Sequence, residues 1–469
     1  MKKIACFCIP AHGHTNPMLP VAAERVRRGN AVRFYSFSEF ERKITATGAE
    51  FISCDVFLPE LSEREEKGLK SVSTREMTIQ DIRITLRMDA FLEEEFRTFQ
   101  PDVVYTDSVC FWGKLNAWKH SVPMVVSTST FAFNQMSSQY MKHSPKELAD
   151  LIFGLPKISK ALKTLEPYGY RVKSVLSLVQ SDNATDSVVY TSRRFQPYAG
   201  SFSDHYAFVG PSVFSDALPD KKKDRPLVYI SMGTVINDRP DFYSKCIEAL
   251  NGKNLDVIIS CGNAVNREDF GTLPDNIQVF PYVDQLDVLA KADVFITHCG
   301  MNSVSESLYM ATPMVLYPQT GEQQAVARRA AEMGAGVPLS DDSAAGIGKA
   351  VEKILSDVRY ASAAKECCDD FRACSGTSGA AQFIENAPNV SDGVDILAEL
   401  NKINGRFQAK YWLTAAAVMI LAGFLLGWKY VWIAGVAAGV MAYPAVNVAQ
   451  KKRYDACVHR LQQHQSDCD

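Results

Sequence analysis

The chain has 469 residues, 47% hydrophobic and 22% charged, which suits a globular protein too long for one core and divided into two or more domains. A formal net charge of −3 carries no polyanion-binding signature, so nucleic acid is excluded as an expected partner. Twelve cysteines occur without CxxC pairs at metal-ligand spacing, which points to buried or free thiols of a reducing compartment and to no metal site.

In chain order, the apolar start IACFCIPA gives way to polar HGHTN too soon for a secretory signal. KIACFCIP reads as a strand, PMLPVAAERVRRG as a helix ended by Gly29, AVRFYSF as a strand, and FERKITATG as a helix ended by Gly48. PDVVYTD and VPMVVST continue a parallel sheet, with CFWGKLNAWKH as the crossover between them. Residues 135–185 read as helical and irregular, after which SVVYTS and YAFVGPS bring back strands. The charged, Pro-flanked stretch 215–226 is the expected linker between residues 1–214 and a second half over 227–385. That half alternates LVYISMG, a helix PDFYSKCIEALNG, LDVIISCG, IQVFPYV, ADVFITH, TPMVLYP and GAGVPL, so the fold class is α/β.

A further linker over 386–411 leads to a change of character. Trp412 to Val448 is a run of 37 residues with one charge, Lys429, followed by a polar tail over 449–469. Lys402, Arg406 and Lys410 precede the run and Lys451, Lys452 and Arg453 follow it, so the positive-inside rule places both flanks on the cytoplasmic side of a membrane hairpin. Each arm is at or below the roughly 20 residues that cross a hydrocarbon core, so a two-helix hairpin and a shallower re-entrant wedge both fit. Trp412, Trp428 and Trp432 suit interfacial anchoring.

The polar turn THCGMNSVSESL, from Thr297, sits at the carboxyl end of the strand ADVFIT, where open α/β sheets bind ligands. Backbone N–H groups from Gly300 to Ser303 at a helix start offer a phosphate site favoured by the helix dipole. His298 adds a donor, Ser303 a hydroxyl, and Gly300 allows close approach to the backbone. Taken alone, Ser303 and Glu306 also fit an S-x-x-E capping box.

VDQLDVL, FITHCGMNSVSESL and TPMVLYPQTGEQQ together resemble the nucleotide-sugar signature of the UDP-dependent glycosyltransferases, in particular their macrolide-glycosyltransferase-like bacterial branch. IPAHGHTNPMLPVAAERVRRG and YISMGT extend the resemblance to about residues 1–385. It implies the GT-B fold, two Rossmann-like domains facing across a cleft, with the sugar nucleotide held mainly by the C-terminal one. It further implies Tyr282 as an aromatic platform for uracil, Val283 at the uracil edge, and Gln285 and Glu306 on the ribose hydroxyls. His298, Asn302 and Ser303 would hold the diphosphate with Gly233 and Thr234, and Glu322 and Gln323 would face the sugar. Asp284 stands where relatives often have Pro, and Glu322 where many have Asp. Acceptor pockets would be built from variable loops over residues 55–95 and 131–180.

The transferred sugar needs a base on the acceptor side, because a hydroxyl loses its proton as it attacks the anomeric carbon. AHGHTNP supplies His12 and His14 in the loop after the first strand, and the family's H-x-x-P spacing to Pro17 selects His14. Asp107 matches the partner carboxylate that orients the imidazole. Without the resemblance, His14 reads more readily as a solvated turn residue and Asp107 as a helix N-cap. With it, the chain is expected to be an inverting hexosyltransferase with no cofactor beyond the UDP-sugar co-substrate and no metal. Its acceptor would be a hydrophobic alcohol or phenol such as a lipid or polyketide, and its site the cytoplasmic surface of the cell membrane. An antibiotic- or xenobiotic-inactivating enzyme and an inactive membrane-tethered binding protein remain as alternatives.

Overall fold

The computed structural model describes residues 1–387 except 61–73, 135, 142–144, 171, 173–184, 214–217, 222–223, 235–236, 264 and 266. Met1–Pro197 and His205–Val390 form one compact unit. The other unit comprises Tyr198–Asp204 and Ser391–Asp469, and only its first stretch lies among the described residues.

The first sheet is parallel throughout. Its strands are β1 (Lys3–Phe7), β2 (Ala31–Ser36), β3 (Glu50–Ser53), β4 (Val103–Asp107), β5 (Met124–Thr128), β6 (Asp186–Val189) and β7 (Tyr206–Phe208), in the order β3-β2-β1-β4-β5-β6-β7. β4 is buried at every position, as an inner strand covered on both faces must be, which is why it reads as a continuous apolar run rather than an alternation. Helices α1 (His12–Arg27), α2 (Glu41–Thr45), α3 (Thr74–Phe99), α4 (Phe111–Lys119) and α5 (Pro145–Lys163) accompany this sheet. Gly29 and Gly48 take φ of 79° and 83° just past α1 and α2, a conformation that favours glycine at a helix end.

The second sheet, also parallel, runs β10-β9-β8-β11-β12-β13. Its strands are β8 (Leu227–Ser231), β9 (Asp256–Ser260), β10 (Ile277–Phe280), β11 (Val294–Thr297), β12 (Met314–Leu316) and β13 (Gly336–Pro338). Its helices are α6 (Pro240–Leu250), α7 (Gln285–Lys291), α8 (Met301–Tyr309), α9 (Gly321–Glu332), α10 (Ala344–Ser356), α11 (Val358–Ala373) and α12 (Gly376–Glu385). The strand order reverses between β1 and β4 in one sheet and between β8 and β11 in the other. Such switch points open a crevice at the carboxyl ends of the strands, and this chain has two of them.

Three features differ from the sequence reading. Residues 74–95 of the stretch 55–95, assigned there to variable loops, belong to the long helix α3, because Ile84, Met88, Leu92 and Phe96 recur every fourth residue and bury one stripe in the first core. Helix α1 begins at His12 rather than Pro17, so HGHTN is its opening rather than a loop, and Pro17 and Pro20 lie inside it. Helix α12 follows the second sheet in sequence but buries Ala380 and Ile384 in the first core. There the buried Arg25 donates from Nη1 to the Ala381 carbonyl at 3.1 Å and pairs with Glu385 at 3.2 Å. The expected hairpin over 412–448 lies outside the described residues, among which no helix is long and apolar enough to cross a membrane. The described cysteines are all free thiols, and all but Cys374 are buried.

Candidate active site

At the first switch point, His14 in the opening turn of α1 meets Asp107 at the end of β4. His14 Nδ1 donates to Asp107 Oδ2 at 2.8 Å, and Asp107 is fully buried while the imidazole stays about a quarter exposed. Asp107 Oδ1 also accepts from the Val109 backbone N–H at 3.0 Å, which fixes the carboxylate plane. Burial alone would lower the His14 pKa, but the charge and hydrogen bond of Asp107, with smaller help from Glu322 and Asp81, raise it above its ordinary 6.5. His12, the other candidate, turns away to pair with Glu39 at 2.8 Å and to rest edge-on against Phe40.

The second switch point holds the polar turn. Chain entry into α8 passes through Cys299 at φ 67° and Gly300, and no side chain caps the first turn, whose N–H groups are therefore left for a ligand. The His298 ring is slotted between two glycines: a Cβ on Gly300 would lie 2.6 Å from its Nε2, and one on Gly233 would overlap the ring outright. Burial pushes the His298 pKa down to about 4, against a weaker pull from the Ser231 backbone, so the imidazole is neutral. Its Nδ1 is buried without a hydrogen-bond partner. His298 therefore offers a neutral donor to an anion rather than a standing positive charge.

Deeper along α8, Glu306 Oε2 accepts from Gln285 Nε2 at 2.6 Å, the same nitrogen lies 3.3 Å from Ser303 Oγ, and Tyr229 donates its hydroxyl to Gln285 Oε1 at 3.2 Å. Burial raises the Glu306 carboxyl to about 7 despite the Gln285 bond. The capping-box alternative for Ser303 and Glu306 fails, because Gly300 is the N-cap and both side chains turn to Gln285. Tyr282, in the connection after β10, is 79% exposed and presents an open aromatic face, while Val283 packs partly into the second half's core.

Other expected site residues prove to have structural work as well. Gln323 Oε1 accepts from the backbone N–H groups of Gln319 at 2.7 Å and Thr320 at 3.2 Å, closing a capping box at the start of α9. Asp284 caps α7 through the Leu286 and Asp287 N–H groups, which gives the acid at this position a structural role. Asn302 Nδ2 donates to the Gly13 carbonyl at 3.0 Å, next to His14. Glu322 and Thr234 are exposed, and Glu322 lies close enough for its charge to act on His14.

Two residues near His14 escaped the sequence reading. Ser129 Oγ, buried just past β5, lies 3.1 Å from His14 Nδ1 and shares that nitrogen with Asp107. Asp81, on α3, has its pKa raised well above the usual range by burial and by Asp107, with His14 acting the other way. Ser129 was discoverable in principle as a polar residue ending the strand beside β4, whereas nothing local distinguishes Asp81 from its acidic neighbours on α3.

A family model described as UDP-glucoronosyl and UDP-glucosyl transferase matches residues 220–367. The NDP-glycosyltransferase YjiC of Bacillus licheniformis is 32% identical over 396 residues, covering 82% of this chain and 97% of its own. The demethyllactenocin mycarosyltransferase of Streptomyces fradiae is 29% identical over 402 residues, covering 82% and 86% respectively. Among solved structures, a calicheamicin glycosyltransferase matches with a TM-score of 0.67 and 24% identity over 83% of this chain and 100% of its own, a likeness of fold. Two parallel Rossmann-like sheets, each with its switch point, are thus the GT-B arrangement.

Proposed function

The chain belongs to the UDP-glucuronosyl and UDP-glucosyl transferase family and is a glycosyltransferase, and from that premise we propose that it moves a hexose from a UDP-sugar to a hydroxyl of a hydrophobic acceptor with inversion. The observation that carries this reading is the pairing of His14 with buried Asp107 in the same compact unit as an uncapped helix start flanked by a neutral histidine.

In this reading, His14 Nε2 takes the acceptor proton while Nδ1–H stays on Asp107, whose carboxylate stabilises the imidazolium. The acceptor oxygen forms its bond to the anomeric carbon from the face opposite the nucleotide, and the bond from that carbon to the diphosphate oxygen breaks. The leaving UDP takes the negative charge to the α8 N–H groups, His298 and Ser303. Tyr282 supports the base, and Gln285 with Glu306 holds the ribose. Glu322 and Gln323 Nε2 face the sugar, the Gln323 oxygen being committed to its helix cap.

A polyketide-like acceptor is favoured by the mycarosyltransferase relative. We place the work at the cytoplasmic membrane surface, where the apolar run 412–448 with basic flanks tethers the enzyme. A face of α5 suits the same location: Phe153 is 79% exposed, with Lys157 and Lys160 exposed at i+4 and i+7. Radiolabelled UDP-glucose given to the full-length protein in membranes, with and without an added soluble phenol, tests the reading. Label in the lipid phase or in the phenol glucoside is expected. Label remaining entirely in UDP-glucose, with UDP bound, would make the chain a binding protein instead.

A further inference from the structure

We infer that Asn302 ties the base-bearing turn of α1 to the donor-binding turn of α8, and that Pro17 exists in this register to leave a carbonyl free for the tie. In an α-helix the carbonyl of Gly13 would receive the N–H of residue 17, but Pro17 has none. That carbonyl accepts instead from Asn302 Nδ2 at 3.0 Å, across 289 positions of sequence. The opening turn of α1 has Ala11 as its N-cap, with no side-chain cap, and beside the Asn302 bond it is held by His12 on Glu39 and by the Thr15 N–H on the Ala11 carbonyl. His14 is the next residue, so whatever holds the Gly13 peptide holds the base against Asp107.

Asn302 has the chemistry for a two-sided role. Its amide carries two N–H donors and one acceptor oxygen; one donor is spent on Gly13, leaving the other and the oxygen for the sugar nucleotide. Donor occupancy and base position thus meet in one side chain. Asn302 is in this respect a positioning residue, and Pro17 acts through it. The inference rests on the glycosyltransferase reading only for its consequence on turnover; the tie itself belongs to the ligand-free chain.

The test compares Asn302→Ala, Pro17→Ala and the double variant. Pro17→Ala supplies a competing helical N–H, leaves every side chain of the donor turn in place, and keeps the Pro17 carbonyl position that accepts from Ser212 Oγ at 2.7 Å. The His14 titration is followed by proton NMR without ligand, with the signal assigned by its loss in His14→Ala. UDP binding is measured by calorimetry, and turnover with UDP-glucose and a soluble phenol.

Both single variants are expected to lower the His14 midpoint and to reduce kcat on the order of 10- to 100-fold, as for about 1 Å of misplacement; Pro17→Ala should keep UDP affinity and donor KM within about threefold of the parent, whereas Asn302→Ala should also raise donor KM through its lost nucleotide contacts. The double variant is expected to fall no further than the worse single one, since both remove one bond. Unchanged His14 titration in both variants, additive losses, or an effect of Asn302→Ala confined to UDP affinity and donor KM would each overturn the inference. If the parent protein neither binds UDP nor transfers hexose, the glycosyltransferase reading fails, and the ligand-free titration still decides the tie.

Discussion

His14 follows β1 and His298 follows β11, strands on opposite sides of the switch points of their two parallel sheets, and the protein tunes the two imidazoles in opposite directions. The strand beside His14 ends in Asp107, whose carboxylate overcomes burial and raises the imidazole pKa. The strand beside His298 ends in Ser231 and leads to Gly233, with no acid in reach, and burial takes the imidazole down to about 4. One side chain beside a switch point is thus tuned up or down according to the residue that ends its neighbouring strand. In the proposed mechanism the first crevice holds a charge that forms during reaction, and the second stays uncharged until an anion arrives.

The most severe way to break this contrast is at the base. His14→Ala should abolish hexose transfer, a loss of roughly 10² to 10⁴-fold, while UDP binds nearly as before. In the parent protein kcat/KM should rise with pH to a plateau as His14 loses its proton, with a midpoint above the ordinary 6.5. Asp107→Asn removes the main cause that opposes burial, so the midpoint should move down and the plateau should fall. Calorimetric UDP titration beside a pH–rate profile reads all of these outcomes. A midpoint indifferent to Asp107 would mean that another group titrates.

How much of this was legible beforehand depends on range. The strand–turn–helix alternation and the polar turn at 297–306 are local patterns, and each had a physical reading in the sequence alone, whereas the match of His14 with Asp107, 93 positions apart, came only from the family resemblance. The stripe of Ile84, Met88, Leu92 and Phe96 was also local, but charged residues crowd the exposed face of α3 and mask its period. What could not be read were the meetings between distant segments: Ser129 with His14 across 115 positions, and Asn302 with Gly13 across 289. Hydrogen-bond partners of that kind are set by how sheets and halves pack, not by neighbours in the chain. The S-x-x-E spacing failed for a related reason, since its glutamate found a long-range partner in Gln285.

Glu306 sharpens the claim that the second crevice is kept uncharged. Its carboxyl rises from 4.5 to about 7 on burial, so between those pH values the folded protein keeps a proton that the unfolded chain releases. The stabilising contribution is full below pH 4.5, declines as pH rises, and is gone above about 7. Glu306→Gln replaces the group with a permanently neutral one that still accepts from Gln285. The variant should therefore be more stable than the parent at pH 8, on the order of 2 kcal/mol, with the gap shrinking by pH 5. Its donor KM should rise, because a neutral amide is a weaker acceptor for ribose hydroxyls. Urea unfolding at the two pH values measures the first effect, and an equal gap at both would assign the gain to packing instead of charge.

The smallest effect separates two sequences that look alike, Ser303-x-x-Glu306 and Thr320-x-x-Gln323. Only the second is a capping box: Thr320 Oγ1 accepts from the Gln323 N–H at 3.3 Å, and Gln323 returns its oxygen to the Thr320 N–H. Removing such a cap typically costs about 1 kcal/mol, and Thr320→Ala should lose that much stability, read as a lower urea midpoint with an unchanged slope. Ser303 sits inside α8 with its hydroxyl on Gln285, so Ser303→Ala should shift the midpoint by less than half as much. It should instead raise the donor KM, since one hydrogen-bond partner of the diphosphate is gone. The contrast holds because the α8 start is left uncapped for an anion, whereas α9 satisfies its own N–H groups. Equal loss of stability in the two variants, with donor kinetics unchanged in Ser303→Ala, would make the α8 turn an ordinary helix start and remove the reason for its neutral histidine.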